Sequence, residues 1–284
     1  MRKGILYGSG LLILLFSLFS AEACSDKKTI KEDSVTIDAG KTDSTSVDTL
    51  ETLLSEQPMP KAADELFDDF FFNFSANKKL QRKRISFPLP VYENGKVVKT
   101  ITKSNWKIDN FFMRQDFYTL IFDNVKQMKV VKDTTINHVV VEKIYLKNKS
   151  VKQYLFNRIH GEWKLTSLNI HPMGQNSNAS FLHFYQRFTT DSAFQMRSIH
   201  DPLYFVGPDP DNDFSNTSGT LLPEQWPSFA PGLPHALIYN IIYGQKYTES
   251  NQKIFVIRGI ANGLETELTF KRLGKTWKLM KLSM

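Results

Sequence analysis

Phenylalanines at positions 67, 70, 71 and 74 recur at i, i+3, i+4 and i+7, the spacing of one apolar helix face. A second short helix is expected over residues 80–85, and Pro88 stops it, because proline disfavours helix in the residue before it. The following run, "FPLPVYENGKVVKTIT", reads as a hairpin that turns at Asn94-Gly95. "SNWKIDNFF" reads as a third short helix. Three β-rich runs then occupy 117–128, 136–146 and 151–170, the last bent at His160-Gly161. Similar runs lie at 235–245, 253–261 and 264–282, with turns at Asn262-Gly263 and Gly274-Lys275. Helices, hairpin, helix and long meander give an α+β plan with helices on one sheet face.

The aromatic pattern occurs twice. Residues 67–89 aligned without a gap on 181–203 share seven of 23 positions, among them Phe67/Phe181, Phe70/Phe184, Gln81/Gln195 and Pro88/Pro202. The offset of 114 returns at the far end of each half, where "FNRIHGEWKLTSL" (156–168) lies over "FKRLGKTWKLMKL" (270–282). Two matches that keep one offset mark a duplicated domain rather than a solenoid. The boundary falls at "HPMGQNSN", so the expected domains are 61–174 and 175–284.

The amino-terminal region carries different information. Met1-Arg2-Lys3, the apolar run "ILYGSGLLILLFSLFS" and "AEAC" have the layout of an export signal over residues 1–23. The chain's single cysteine, Cys24, directly follows, and Ala21-Glu22-Ala23-Cys24 resembles a bacterial lipobox. Lipid attachment at Cys24 would anchor the chain in the membrane of the cell envelope. Cleavage after Ala23, leaving a soluble periplasmic or secreted protein, is the alternative. Residues 24–60 read as a disordered tether. Its segment after Cys24 has eight acids against four lysines and no aromatic residue. As a random coil it reaches about 30–35 Å from the membrane.

Helix pair, hairpin, third helix and curved meander resemble the nuclear-transport-factor-two-like cone, also called cystatin-like. The motif "FDDFFFNF…LQ…RI.FPL" resembles, more narrowly, a family of Bacteroidota lipoproteins of unknown function, domain of unknown function 4348. That resemblance implies two tandem cones and a cell-envelope location. It implies no activity, because this fold hosts isomerases, dehydratases and binding proteins alike.

Composition excludes some chemistry. One cysteine allows no disulfide framework and no multi-cysteine zinc site. There is no phosphate-binding glycine loop, HExxH, nucleophile elbow or CxxC, and no cofactor is expected. An exported chain is a poor partner for nucleic acid. Residues 61–174 hold 20 basic and 11 acidic side chains, against 10 and nine in 175–284. Lys78, Lys79, Arg82, Lys83 and Arg84 fall within seven residues, a row that could meet an anionic ligand or an envelope protein. Glu142 shares a strand face with His138, Ile136, Val140 and Ile144, while its counterpart in the second repeat is Val256. The unmatched carboxylate could contact a ligand, or act with His138 in acid–base chemistry. Asp209, Asp211 and Asp213 alternate as in a calcium loop. However, Phe214 and Thr220 stand where such a loop needs glycine and glutamate, so an acidic surface loop is expected there. His183 and the pair His200-Asp201 read as surface residues, and no metal site is expected.

These features lead to a lipid-anchored, non-catalytic binding or interaction module whose contact lies in the first domain. An isomerase- or dehydratase-like enzyme in the first cone and a structural spacer are the alternatives.

Overall fold

The computed structural model describes residues 59–284, apart from 246–249 and 261. The expected signal, Cys24 and nearly all of the tether lie outside the described residues. The first repeat runs α1 (Phe67–Ala76), α2 (Lys78–Lys83), β1 (Leu89–Glu93), β2 (Lys96–Ile101), β3 (Phe117–Phe122), α3 (Val125–Met128), β4 (His138–Tyr145), β5 (Ser150–Ile159) and β6 (Glu162–Pro172). The second runs α4 (Ala179–Thr190), α5 (Ser192–Arg197), β7 (Ile199–Asp209), β8 (Asn212–Leu221), α6 (Trp226–Phe229), β9 (Leu237–Ile242), β10 (Gln252–Gly259), β11 (Glu265–Leu273) and β12 (Thr276–Ser283). The fold is α+β, two tandem cones of helices on curved sheets.

The two repeats are built alike down to single hydrogen bonds. Helix α1 buries Phe67, Phe70, Phe71 and Phe74, and α4 buries Phe181, Phe184, Tyr185 and Phe188. Each helix breaks at a polar residue in extended conformation that caps the next helix. The Asn77 side chain accepts from Leu80 N, and the Asp191 side chain from Phe194 N. The Gln81 amide donates to Phe74 O and accepts from Trp106 Nε1 at 2.9 Å. Gln195 does the same with Phe188 O and Trp226 Nε1 at 3.0 Å. Both X-Pro bonds at the matched positions, Phe87-Pro88 and Asp201-Pro202, are cis. β1 pairs in parallel with β6 through Val91 and Leu168, and β7 with β12 through their counterparts Phe205 and Leu282.

The sheets do not respect the 174/175 boundary. Their orders are β2-β1-β6-β5-β4-β9 and β8-β7-β12-β11-β10-β3. Each repeat therefore gives one strand to the other's sheet: Leu120 of β3 lies opposite Val256, and Asn240 of β9 lies opposite Glu142. The exchanged strands touch where Thr119 Oγ1 donates to Tyr239 O at 2.5 Å and accepts from Tyr239 N at 2.9 Å. Thr119 and Tyr239 are counterparts under the register of these strands, so this contact sits on an internal pseudo-two-fold axis. Alternate side chains of β3 and β10 serve different cores: Leu120 and Val256 pack against the α1 phenylalanines, whereas Ile121 and Phe255 pack against those of α4. All described residues fall in one compact unit.

Three further expectations change. "SNWKIDNFF" forms no helix, because Gln81 engages both Asp109 N and Asp109 O and holds the segment open. The acidic stretch 209–213 is the tip of the β7–β8 hairpin rather than a free loop, with Asp211 N donating to Asp209 Oδ1. Residues 125–132 turn helical instead of continuing β3.

Candidate functional site

The basic row of the first repeat divides. Lys78, Lys79, Arg82 and Lys83 lie exposed on α2. Arg84 turns inward and is buried at 6% exposure. Its guanidinium makes a two-pronged contact with Asp64, at 2.9 and 2.7 Å, and a third bond to Trp163 O at 3.3 Å. It also lies 5.7 Å from the Phe70 ring centre. Such a fork-on-carboxylate pair fixes both partners, so Arg84 is not available to a partner.

Glu142 is completely buried, and its carboxylate is occupied. Gln153 Nε2 and Asn176 Nδ2 donate to Oε1 at 2.9 and 2.8 Å, and Asn240 Nδ2 donates to Oε2 at 2.9 Å. It joins β4, β5, the inter-repeat linker and the exchanged strand β9. His138, four residues along the same strand, is exposed and bonded to Asn157 Oδ1 at 2.8 Å. A strand rises about 3.3 Å per residue, which separates the two Cα atoms by roughly 13 Å. They do not reach one substrate atom, and Glu142 does not open to solvent as a ligand contact would.

The interior of the first cone is filled. Phe156 alone meets Phe67, Phe70, Phe71 and Phe74 at ring distances of 5.3–5.9 Å. Beside this core, Asp109 accepts from Lys143 Nζ and from Tyr154 OH, each at 2.5 Å. Burial alone would push the Asp109 carboxyl up, but the Lys143 ammonium and these hydrogen bonds outweigh it and hold it below the usual range. The cluster ties the 104–116 segment to the sheet. Among the described residues, no group of three or more His, Cys, Asp or Glu could hold a metal ion. No described helix is long and apolar enough to cross a membrane.

An opening does exist in the second repeat. A cleft of about 460 Å³ lies between α4, α5 and the β11–β12 turn. Phe184 and Trp277 are buried and form its floor with Phe194. His183, Arg187, Arg197 and Lys275 stand exposed around it, with Lys278 beside them. Trp277 Nε1 donates to Ser180 Oγ at 3.2 Å, and the Lys278 ammonium donates to Arg197 O. The Arg187 guanidinium lies 4.2 Å from the Phe194 ring centre and 3.3 Å from Asp191.

The equivalent place in the first repeat explains the opening. Phe70, Trp163 and Arg84 are the counterparts of Phe184, Trp277 and Ser198. The backbone register matches here, since Arg84 O accepts from Leu165 N and Ser198 O from Leu279 N, both at 2.8 Å. Arg84 and Asp64 fill the first site. Ser198 is too short to do so, its hydroxyl folding back onto Phe194 O at 2.7 Å. Asn178, the counterpart of Asp64, instead accepts from the buried Lys253 at 2.7 Å. The sequence held this signal in the aligned pair Arg84/Ser198, but a lone serine carries no motif.

The family described as a domain of unknown function (DUF4348) matches residues 46–284. The chain belongs to this family. No curated protein matches it. Among solved structures, it is similar to an NTF2-like protein from Bacteroides fragilis, at 43% identity and a TM-score of 0.74. That match covers 80% of this chain and 98% of the other.

Proposed function

We propose that this chain is a non-catalytic ligand-binding module, held at the cell envelope by a lipid on Cys24, with its ligand seat in the second-repeat cleft. One observation carries the seat: the same position is filled by Arg84 and Asp64 in one repeat and left open over Phe184 and Trp277 in the other. Buried aromatic walls with a few polar groups at the rim are the usual make-up of a small-molecule site. The occupied Glu142 and its distance from His138 favour binding over acid–base catalysis. The placement differs from the first-domain contact that the charge totals suggested, because total charge does not say which charges are already paired.

The seat is tested by closing it. Replacing Ser198→Arg together with Thr276→Glu imports the first repeat's Arg84 and Glu162, which lie 3.6 Å apart there. Ligand-observed NMR against a library of small organic compounds should give hits with the native chain that the closed variant loses. Hits that survive closure would place the site elsewhere. The anchor is tested separately: Cys24→Ser should shift the protein from the detergent phase to the aqueous phase, and unchanged partition removes the lipid.

A further inference from the structure

We infer that the second-repeat cleft is selective for an organic anion: a carboxylate, phosphate or sulfonate group carried on a flat apolar body. This rests on the cleft being the ligand seat and names what it takes.

The charge pattern points there. In the first repeat, three carboxylates stand at this place: Asp64, Asp69 and Glu162. Two of them hold cations, with Arg84 and Lys164 lying 2.7–3.6 Å from Asp64 or Glu162. In the second repeat the three counterparts are Asn178, His183 and Thr276, so every one of those carboxylates is gone. Of the cations only Arg84 is lost, to Ser198: Arg197 and Lys278 replace Lys83 and Lys164, while Arg187 and Lys275 are added where the first repeat has Asn73 and Gly161. Asp191 balances Arg187. Arg197, Lys275 and Lys278 are left around one opening whose lining contains no acid.

The body of the ligand follows from the floor. The Phe184 ring lies 5.7 Å from Phe194 and 6.5 Å from Trp277, giving aromatic walls beneath a cationic rim. A fully hydrated small ion would gain nothing from those walls. A flat apolar group would bury against them while its anion meets the cations.

The probes are 8-anilinonaphthalene-1-sulfonate and its neutral analogue N-phenyl-1-naphthylamine, with dye fluorescence and tryptophan-to-dye transfer as the readouts. The variant is His183→Asp with Thr276→Glu, both exposed positions that regain the first repeat's carboxylates without touching the core. The sulfonate should bind the native chain, and the variant should weaken it about ten-fold or more, as expected for like charges set beside a partly screened anion. Raising salt from about 0.05 to 0.5 M should weaken it in the same direction. The neutral dye should bind less tightly and ignore both changes. If the two dyes bind equally and both are lost on closing the cleft, the seat stands and the anion selectivity is wrong. If closing the cleft affects neither dye, or the sulfonate does not bind at all, the inference fails. Should Ser198→Arg not fold, Arg197→Gln with Lys275→Gln, both exposed, takes its place, and an unchanged sulfonate affinity there is equally fatal.

Discussion

At the scale of single residues, the positions where the repeats disagree carry most of the information. Glu142 against Val256 was legible as an oddity, but sequence could not show that three amides from three other segments close around it. Asp68 is a second case, standing where the other repeat has the buried Leu182. Burial pushes its carboxyl up to about 6, although the Tyr243 hydroxyl donates to it at 2.6 Å and Arg258 also favours the charged form. The folded carboxyl thus keeps a proton at pH values where an unfolded aspartate has lost it. Its stabilising share is full below the ordinary carboxylate range and is lost as pH rises through about 6. Asp68→Asn keeps an acceptor for Tyr243 and removes the titration. The variant should gain on the native chain between pH 4 and 8, by about 3 kcal/mol at most. Urea melts across that range check it, and a difference that does not change with pH removes the assignment.

At the scale of elements, the helix faces and tight turns were readable because their causes are local. The phenylalanine spacing alone places α1, and Asn94-Gly95 adopts the paired positive φ angles, 49° and 75°, that a two-residue hairpin turn demands. "SNWKIDNFF" failed for the opposite reason. Its conformation is set by Gln81, a residue more than 20 positions earlier, whose amide takes up the Trp106 and Asp109 donors. Local pattern is a weak guide wherever a buried polar side chain satisfies a distant backbone. The same limit hid the cleft: α4, α5 and the β11–β12 turn were each foreseeable, while the space between them depends on what residue 198 does not fill.

At the scale of the whole molecule, the 114-residue offset revealed the duplication but not the strand exchange. β3 and β9 correspond at an offset of 120 instead, and each pairs with a strand of the other repeat. The exchange has a thermodynamic consequence. Removing the second repeat would strip β9 from the first sheet and uncover Ile121 and Ile144, whereas removing the first would strip β3 from the second sheet and uncover Ile254 and Val256. The buried Lys253–Asp123 pair also joins β10 to the end of β3, so neither repeat can open without stranding a charge. Two repeats that share cores and strands should unfold as one unit rather than as beads on a string. Calorimetry should therefore show a single transition. Phe70→Ala in the first core and Phe188→Ala in the second should each lower that one midpoint, at about 3–5 kcal/mol apiece for fully buried phenylalanines. Two separable transitions, with each substitution moving only its own, would mean that the exchanged strands do not couple the repeats. The 61–174 and 175–284 division would then describe independent folding units as well as an ancestral duplication.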